Sequence, residues 1–232
     1  WYPGHMKKTR DLISTHIKLV DFVVELLDAR APLASRNPLF DDLLGDKKRL
    51  LLLNKADLAE ERVNQQWIHY FEKEGHDVLL MNAKDVSTEK MLDKLQQMGE
   101  PLQQKLIKQG RKARSLRIMI LGVPNVGKSS LINRLVGRSS AKTGDRPGVT
   151  RGKQWVRLRG DLELFDTPGI LWPKFDDQEQ ALYLALLGSI RDEILDLGDL
   201  AYRLIGILKE YYPGLLQKRY GVEEEGEIIE IM

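Results

Sequence analysis

Gly122-Val-Pro-Asn-Val-Gly127-Lys128-Ser129 places two glycines, a lysine and a serine at the spacing that cradles phosphates. Glycines let backbone N–H groups turn inward on phosphate oxygens, and a following helix adds the positive end of its dipole. Lys128 can neutralise the β- and γ-phosphates, and the Ser129 hydroxyl can hold Mg²⁺. Asn125, Val126, Gly127, Lys128, Ser129 and Ser130 are therefore expected to line the phosphates. A plain glycine turn at a helix start would need neither Lys128 nor Ser129.

Asp166-Thr-Pro-Gly169 follows about forty residues later. An Asp there reaches the metal through water, and the Gly169 N–H can meet a γ-phosphate. Between the two, Thr150 in RPGVTR is the candidate second hydroxyl for Mg²⁺, with Thr143 nearby. Asn54-Lys55-Ala-Asp57 supplies the other half of a site. Asp57 can accept from guanine N1–H and the exocyclic amine, which adenine does not offer, so an ATP site conflicts with it. Asn54 either contacts the base edge or braces the phosphate loop, and the Lys55 stem can pack on the ring. Four polar residues after a strand are ordinary loop material. Asn82-Ala83-Lys84 after the next strand gives them weight, because it resembles the Ser-Ala-Lys loop of GTPases. There the Ala N–H meets guanine O6, and Asn82 in place of Ser leaves that backbone role intact.

Positioning these residues needs strands that end in loops on one edge. VDFVVELLDA (20–29) and KRLLLLN (48–54) are near-continuous apolar runs, the mark of parallel strands buried on both faces. DVLLMN (77–82) and SLRIMILG (115–122) read as two more, and QWVRLRGDLELFD (154–166) as a hairpin-like pair. Helices are predicted over 6–19, with Leu12, Ile13, Ile17 and Leu19 near one face, and over 60–75, 87–109 and 128–137. NPLFDDLL suits a short helix, and QGRKARS (109–115) a basic linker. Residues 177–220 read as helical with turns at Gly188, Gly198 and Pro213-Gly214. EEEGEIIEIM reads as a frayed acidic tail or a segment of something longer. The predicted fold is α/β: a mostly parallel six-stranded sheet with helices on both faces over 1–174, including an N-terminal arm 1–19, then an α-helical domain over 175–232.

The order of the two half-sites is reversed from an ordinary GTPase, whose phosphate loop comes first. In a closed α/β unit the original ends lie close, so joining them and cutting after the DTPG strand keeps the site intact. This arrangement resembles the circularly permuted GTPases, and specifically the YlqF/RbgA family of ribosome-assembly GTPases. Trp1-Tyr-Pro-Gly-His5-Met resembles that family's aromatic-Pro-Gly-His-Met start. Asp28-Ala-Arg30-Ala-Pro32 with Ser35-Arg-Asn-Pro38, and Asp145-Arg-Pro-Gly-Val-Thr150 with DTPGILWP, match its other stretches. The resemblance spans nearly the whole chain and implies GTP hydrolysis, with the large-subunit precursor, rRNA and ribosomal proteins as partners. It also implies further C-terminal sequence, and Trp1 implies a few preceding residues.

Two further roles follow from the resemblance. Asn125 resembles the phosphate-loop Asn of potassium-activated GTPases, so K⁺ there could supply charge that an arginine finger gives elsewhere. Many GTPases place a water-orienting Gln after the DxxG glycine. Here that residue is Ile170, which makes His5 the candidate catalyst beside Lys128, Thr150 and Gly169. The alternative for His5 is a surface or phosphate-contacting histidine.

With 42% hydrophobic and 30% charged residues, the chain can bury a core and is not a disordered segment. It has no Cys, which excludes a disulfide framework and thiolate metal sites and fits a cytoplasmic location. No apolar run reaches the ~18–20 residues of a membrane span. A net charge of +2 hides an asymmetry: residues 101–160 carry 15 Lys+Arg against Asp145 alone, and residues 161–232 carry 6 against 16 Asp+Glu. An excess of fourteen positive charges exceeds what one nucleotide needs and favours an RNA partner. A second reading of function is thus an RNA-binding module whose hydrolysis is incidental, and the bland reading of the charge itself is that loops and a solvated linker happen to be basic.

Overall fold

The structure is a computed structural model that describes residues 4–82, 88–136, 155–158, 161–165, 167, 169–171 and 177–231. It divides into two compact units, Trp1–Phe175 and Asp176–Met232.

The first unit is built on a six-stranded sheet. In chain order its strands are β1 (Phe22–Asp28), β2 (Arg49–Asn54), β3 (Asp77–Leu80), β4 (Leu116–Gly122), β5 (Trp155–Leu158) and β6 (Leu162–Phe165). Their spatial order is β3-β2-β1-β4-β6-β5. All neighbours are parallel except β5, which runs antiparallel on β6 at the edge. Every residue of β1 is buried. Alternate strand residues face opposite sides, so both faces of the sheet centre are covered, which is why β1 reads as a continuous apolar run. The chain moves outward from β1 through β2 to β3, then returns to the other side of β1 as β4. Ligands of open parallel sheets bind at such a reversal, beyond the carboxyl ends of the strands. The register sets Asp28 beside Asn54 and Leu26 beside Gly122, so the ends of β1, β2 and β4 gather there.

The helices of this unit are α1 (Gly4–His16), α2 (Pro32–Ser35), α3 (Leu39–Leu44), α4 (Glu61–Lys73), α5 (Thr88–Lys108) and α6 (Lys128–Val136). The proposed N-terminal arm is helical and anchored: Thr9, Ile13 and His16 are buried, and the His16 ring stacks on Phe165 at 4.6 Å. Leu19, expected on the buried face, is 46% exposed because it falls in a 3-10 turn after α1. On α4, Phe71 is fully buried against Leu27, Leu51, Leu53 and Val78. On α5, Met91, Leu95 and Met98 recur at helical spacing and are buried. The basic linker is partly a tied element: Arg114 makes paired bonds of 2.8 and 2.7 Å to Asp21. Arg111 and Lys112 are exposed.

The second unit holds α7 (Gln178–Leu186), α8 (Leu197–Tyr211), α9 (Leu215–Tyr220) and α10 (Ile228–Ile231). Gly198 is not the turn the sequence suggested. It lies in the first turn of α8, where its N–H and that of Asp199 are capped by the Asp196 carboxylate. The acidic tail is not frayed either. The Glu224 carboxylate accepts from the backbone N–H groups of Gly214, Leu216 and Gln217 around the start of α9. Those bonds hold its carboxyl below the usual range. The Lys209 ammonium donates to the Gly226 carbonyl at 2.7 Å. Glu224 therefore supplies acceptors for N–H groups at the start of α9 that have no partner within the helix. Among the described residues no helix is long and apolar enough to cross a membrane.

Candidate nucleotide site

The phosphate loop leaves β4 at Gly122, where a Cβ would come within 2.9 Å of the Leu26 carbonyl oxygen and of Val126 Cγ1. Only glycine fits that approach. The backbone then takes positive φ at Asn125 (59°) and at Gly127 (101°) before α6 begins at Lys128. A side chain at Gly127 would meet the Asn54 amide, so glycine is required there on two counts. Val126 is buried and anchors the loop, whereas Asn125, Ser129 and Ser130 are exposed. Lys128 is only 9% exposed, and its ammonium donates to the Thr167 carbonyl. Thr167 is held in turn, its hydroxyl donating to the Ile120 carbonyl at 2.8 Å. Gly169 lies against the loop, where a Cβ would sit 3.1 Å from Pro124 N and Cα. The next residue, Ile170, donates its N–H to the Gly122 carbonyl at 3.2 Å.

The base-side motif joins the same edge. Asn54, fully buried at the end of β2, donates through Nδ2 to the Val126 carbonyl at 2.8 Å. Of its two expected roles, bracing the phosphate loop is the one the geometry displays. Lys55 takes a left-handed backbone (φ 60°) and its ammonium reaches across the site. It donates to the Asn125 carbonyl at 2.9 Å and pairs with Asp28 at 2.9 Å. Asp57 sits exposed in a 3-10 turn, Ala56–Leu58. That turn is pinned from both sides, by the Ala56 N–H to the Met81 carbonyl and by the Asn64 amide to the Ala56 carbonyl. Asn82 follows β3 at the same edge and is half-buried.

Asp28 is a residue whose part in the site the sequence did not reveal. Its carboxylate is 2% exposed and accepts from the Arg30 backbone N–H, Arg30 Nε and Arg30 Nη2 as well as pairing with Lys55. Burial pushes its carboxyl up, but the bonds from Arg30 and Lys55 outweigh that and hold it below the ordinary range. Asp28 thus stays charged and fixes the lysine that ties base loop to phosphate loop. The available signal was its place, at the carboxyl end of a buried strand.

Several sequence-predicted residues fall outside what the structure describes. These are Ala83, Lys84, Thr150 and Asp166, and the side chain of His5, whose backbone forms the first turn of α1.

The loop Gly122–Lys128 and the Asn54–Asp57 stretch therefore meet on one edge of the sheet. The sequence profile described as "50S ribosome-binding GTPase" matches residues 117–216, so it spans the phosphate loop but not Asn54–Asp57. The ribosome biogenesis GTPase A of Bacillus licheniformis is 48% identical over 232 residues, covering 99% of this chain and 81% of that protein. That of Bacillus cereus is 45% identical over 230 residues, covering 99% and 78%. The chain belongs to the ribosome biogenesis GTPase A family. It is a GTPase, with the circular permutation of the YlqF type. The crystal structure of GNP-bound YlqF from T. maritima superposes with a TM-score of 0.66 at 28% identity, covering 97% of this GTPase and 89% of that chain.

Proposed function

We propose that this GTPase is a nucleotide-controlled assembly factor that binds precursors of the large ribosomal subunit through rRNA and ribosomal proteins, and leaves after hydrolysis. A cytoplasmic location accords with that role. The ribosomal part of this reading rests on the relatives named above; the observation that most supports nucleotide control is the cross-tie between the half-sites, Asn54 to Val126 and Lys55 to Asn125.

In this reading Asp57 accepts from the guanine N1–H and amine, with the Ala83 N–H on O6 and Asn82 and Lys84 shaping the loop. The N–H groups from Asn125 to Ser130 surround the phosphates and Lys128 neutralises them. Its bond to the Thr167 carbonyl links Lys128 to the segment that carries Gly169. Ser129, exposed at the start of α6, offers a hard oxygen suited to Mg²⁺. Thr150, and Asp166 through water, would complete that set, and the ion would offset charge on the β- and γ-phosphate oxygens when bound. Asn125 would hold K⁺. In hydrolysis a water oxygen bonds to the γ-phosphorus while the bond to the β–γ bridging oxygen breaks. Gly169 orients the γ-phosphate, and His5 orients the water or takes its proton.

The test is sedimentation with large-subunit particles in a non-hydrolysable GTP analogue and in GDP. Co-sedimentation in the analogue alone, with turnover raised by particles, is expected. Equal binding in both states and unstimulated turnover would favour an RNA-binding module with incidental hydrolysis. His5→Ala should lower stimulated turnover at least about tenfold with GTP affinity unchanged.

A further inference from the structure

We propose that Asn37 is a positioning residue that clamps the segment after Gly169 and favours the GTP-bound over the GDP-bound state. The inference rests on the nucleotide reading above. Asn37 lies between α2 and α3 and is 1% exposed. Its Nδ2 donates to the Ile170 carbonyl at 3.0 Å, across 133 positions of sequence. Its Oδ1 accepts the Leu39 N–H at 3.0 Å, at the start of α3. A side-chain amide with one donor and one acceptor so engaged has a single satisfied orientation.

Ile170 is consequently held by both its peptide groups. Its N–H is bound to Gly122, where the phosphate loop begins, and its carbonyl is bound to Asn37. Its side chain is fully buried, so the segment is held by packing as well. Gly169, immediately before, lies against Pro124. Holding Ile170 therefore restricts where the Gly169 N–H can point. Asn37 is itself anchored through Ser35, whose hydroxyl accepts the Asp28 N–H at 2.9 Å and donates to the Ala31 carbonyl. The clamp thus stands on the same strand end that fixes Lys55. GTP uses the Gly169 N–H through its γ-phosphate and GDP does not. Loss of the clamp should therefore be felt by GTP selectively.

The experiment compares Asn37→Asp with Asn37→Ala in the full chain, measuring GDP and GTP-analogue affinity, single-turnover hydrolysis and thermal melting. Asn37→Asp keeps an acceptor for Leu39 N–H and loses the donor to Ile170; Asn37→Ala loses both. Each variant should bind GDP within about twofold of wild type, while analogue affinity and turnover fall about five- to tenfold, the scale of one buried hydrogen bond. Should Asn37→Asp fail to fold, Asn37→Ala carries the test, since losing a helix cap alone does not discriminate between nucleotides. An unchanged GTP-to-GDP ratio overturns the clamp, as does an equal loss for both nucleotides or an effect in Asn37→Ala alone. A wild-type protein that binds neither nucleotide would instead overturn the reading on which the clamp rests.

Discussion

The sheet unit and the helical unit place polar groups in opposite ways. In the sheet unit, Asp28, Asn37, Asn54 and Lys128 are buried and reach partners far away in sequence. Asn54 meets a residue 72 positions on, Lys55 one 70 positions on, and Asn37 one 133 positions on. In the helical unit the polar contacts described above are mostly short-range caps, from Asp177, Asp196 and Glu224, and the longest, from Lys209 to Gly226, spans 17 positions. Its α8 buries no residue, and Leu197, Tyr211 and Tyr220 are each more than half exposed. The difference teaches where geometry matters. A site that must hold a phosphate and a base at fixed separation needs side chains locked by long-range partners. A unit held by local caps keeps its helices while leaving apolar surface open.

Substitutions can break that comparison, and the largest effect is expected at Lys128. Lys128→Ala removes charge-assisted contacts to two phosphates and should lower GTP affinity on the order of a thousandfold, roughly 4 kcal/mol. Titration with a fluorescent nucleotide measures it. A loss below tenfold would mean Lys128 serves the Thr167 segment alone.

Glu25 gives the next largest effect, on stability. It lies fully buried in the middle of β1, 3.5 Å from Arg49, with Arg36 and Asp41 close by. Burial, partly offset by Arg49 and Arg36, pushes its carboxyl up to about 7. Folded protein then holds a proton that unfolded protein has released, so stability present below the ordinary carboxylate range is lost as pH rises through about 7. The contribution is on the order of 3 kcal/mol between pH 4.5 and 8. His76, held below its ordinary value by burial and by Arg36, opposes that slope. Denaturant melts across this range should show a decline in wild type that Glu25→Gln removes. Parallel curves for the two proteins would contradict it.

The smallest effect should come from the helical unit. Asp196→Ala removes the cap at Gly198 and Asp199 and should cost about 1 kcal/mol in that unit. GTP affinity should stay unchanged. Two-phase melting in which only one phase moves would sharpen the contrast between the units, and reduced GTP affinity would undo it.

What the sequence made legible follows the same division. The parallel strands at the sheet centre were readable because burial on both faces leaves near-continuous apolar runs at β1, β2 and β4. The phosphate loop was readable because its glycines and lysine are contiguous. Partners remote in sequence were not. Glu25 stands in an apolar run with no local sign that Arg49 lies beside it. Asn37 carries no mark of Ile170, and Asp28 none of Lys55. Gly198 was misread because a glycine marks a turn only when nothing upstream caps the helix, and Asp196 does. Glu224 was misread because acidic clusters usually remain solvated, whereas here one carboxylate meets three backbone N–H groups.

Residues 54–57 and 122–130 are proposed to form one guanine-nucleotide site despite their order in the chain. Competition between GTP and xanthosine triphosphate in wild type and Asp57→Asn tests it most directly. The variant should lose roughly 2–4 kcal/mol of GTP binding, thirty- to a thousandfold, and gain the xanthine nucleotide in exchange. Unchanged GTP affinity with no gain for xanthosine triphosphate would show that Asp57 does not read the base, and would separate the two motifs that the sheet brings to one edge.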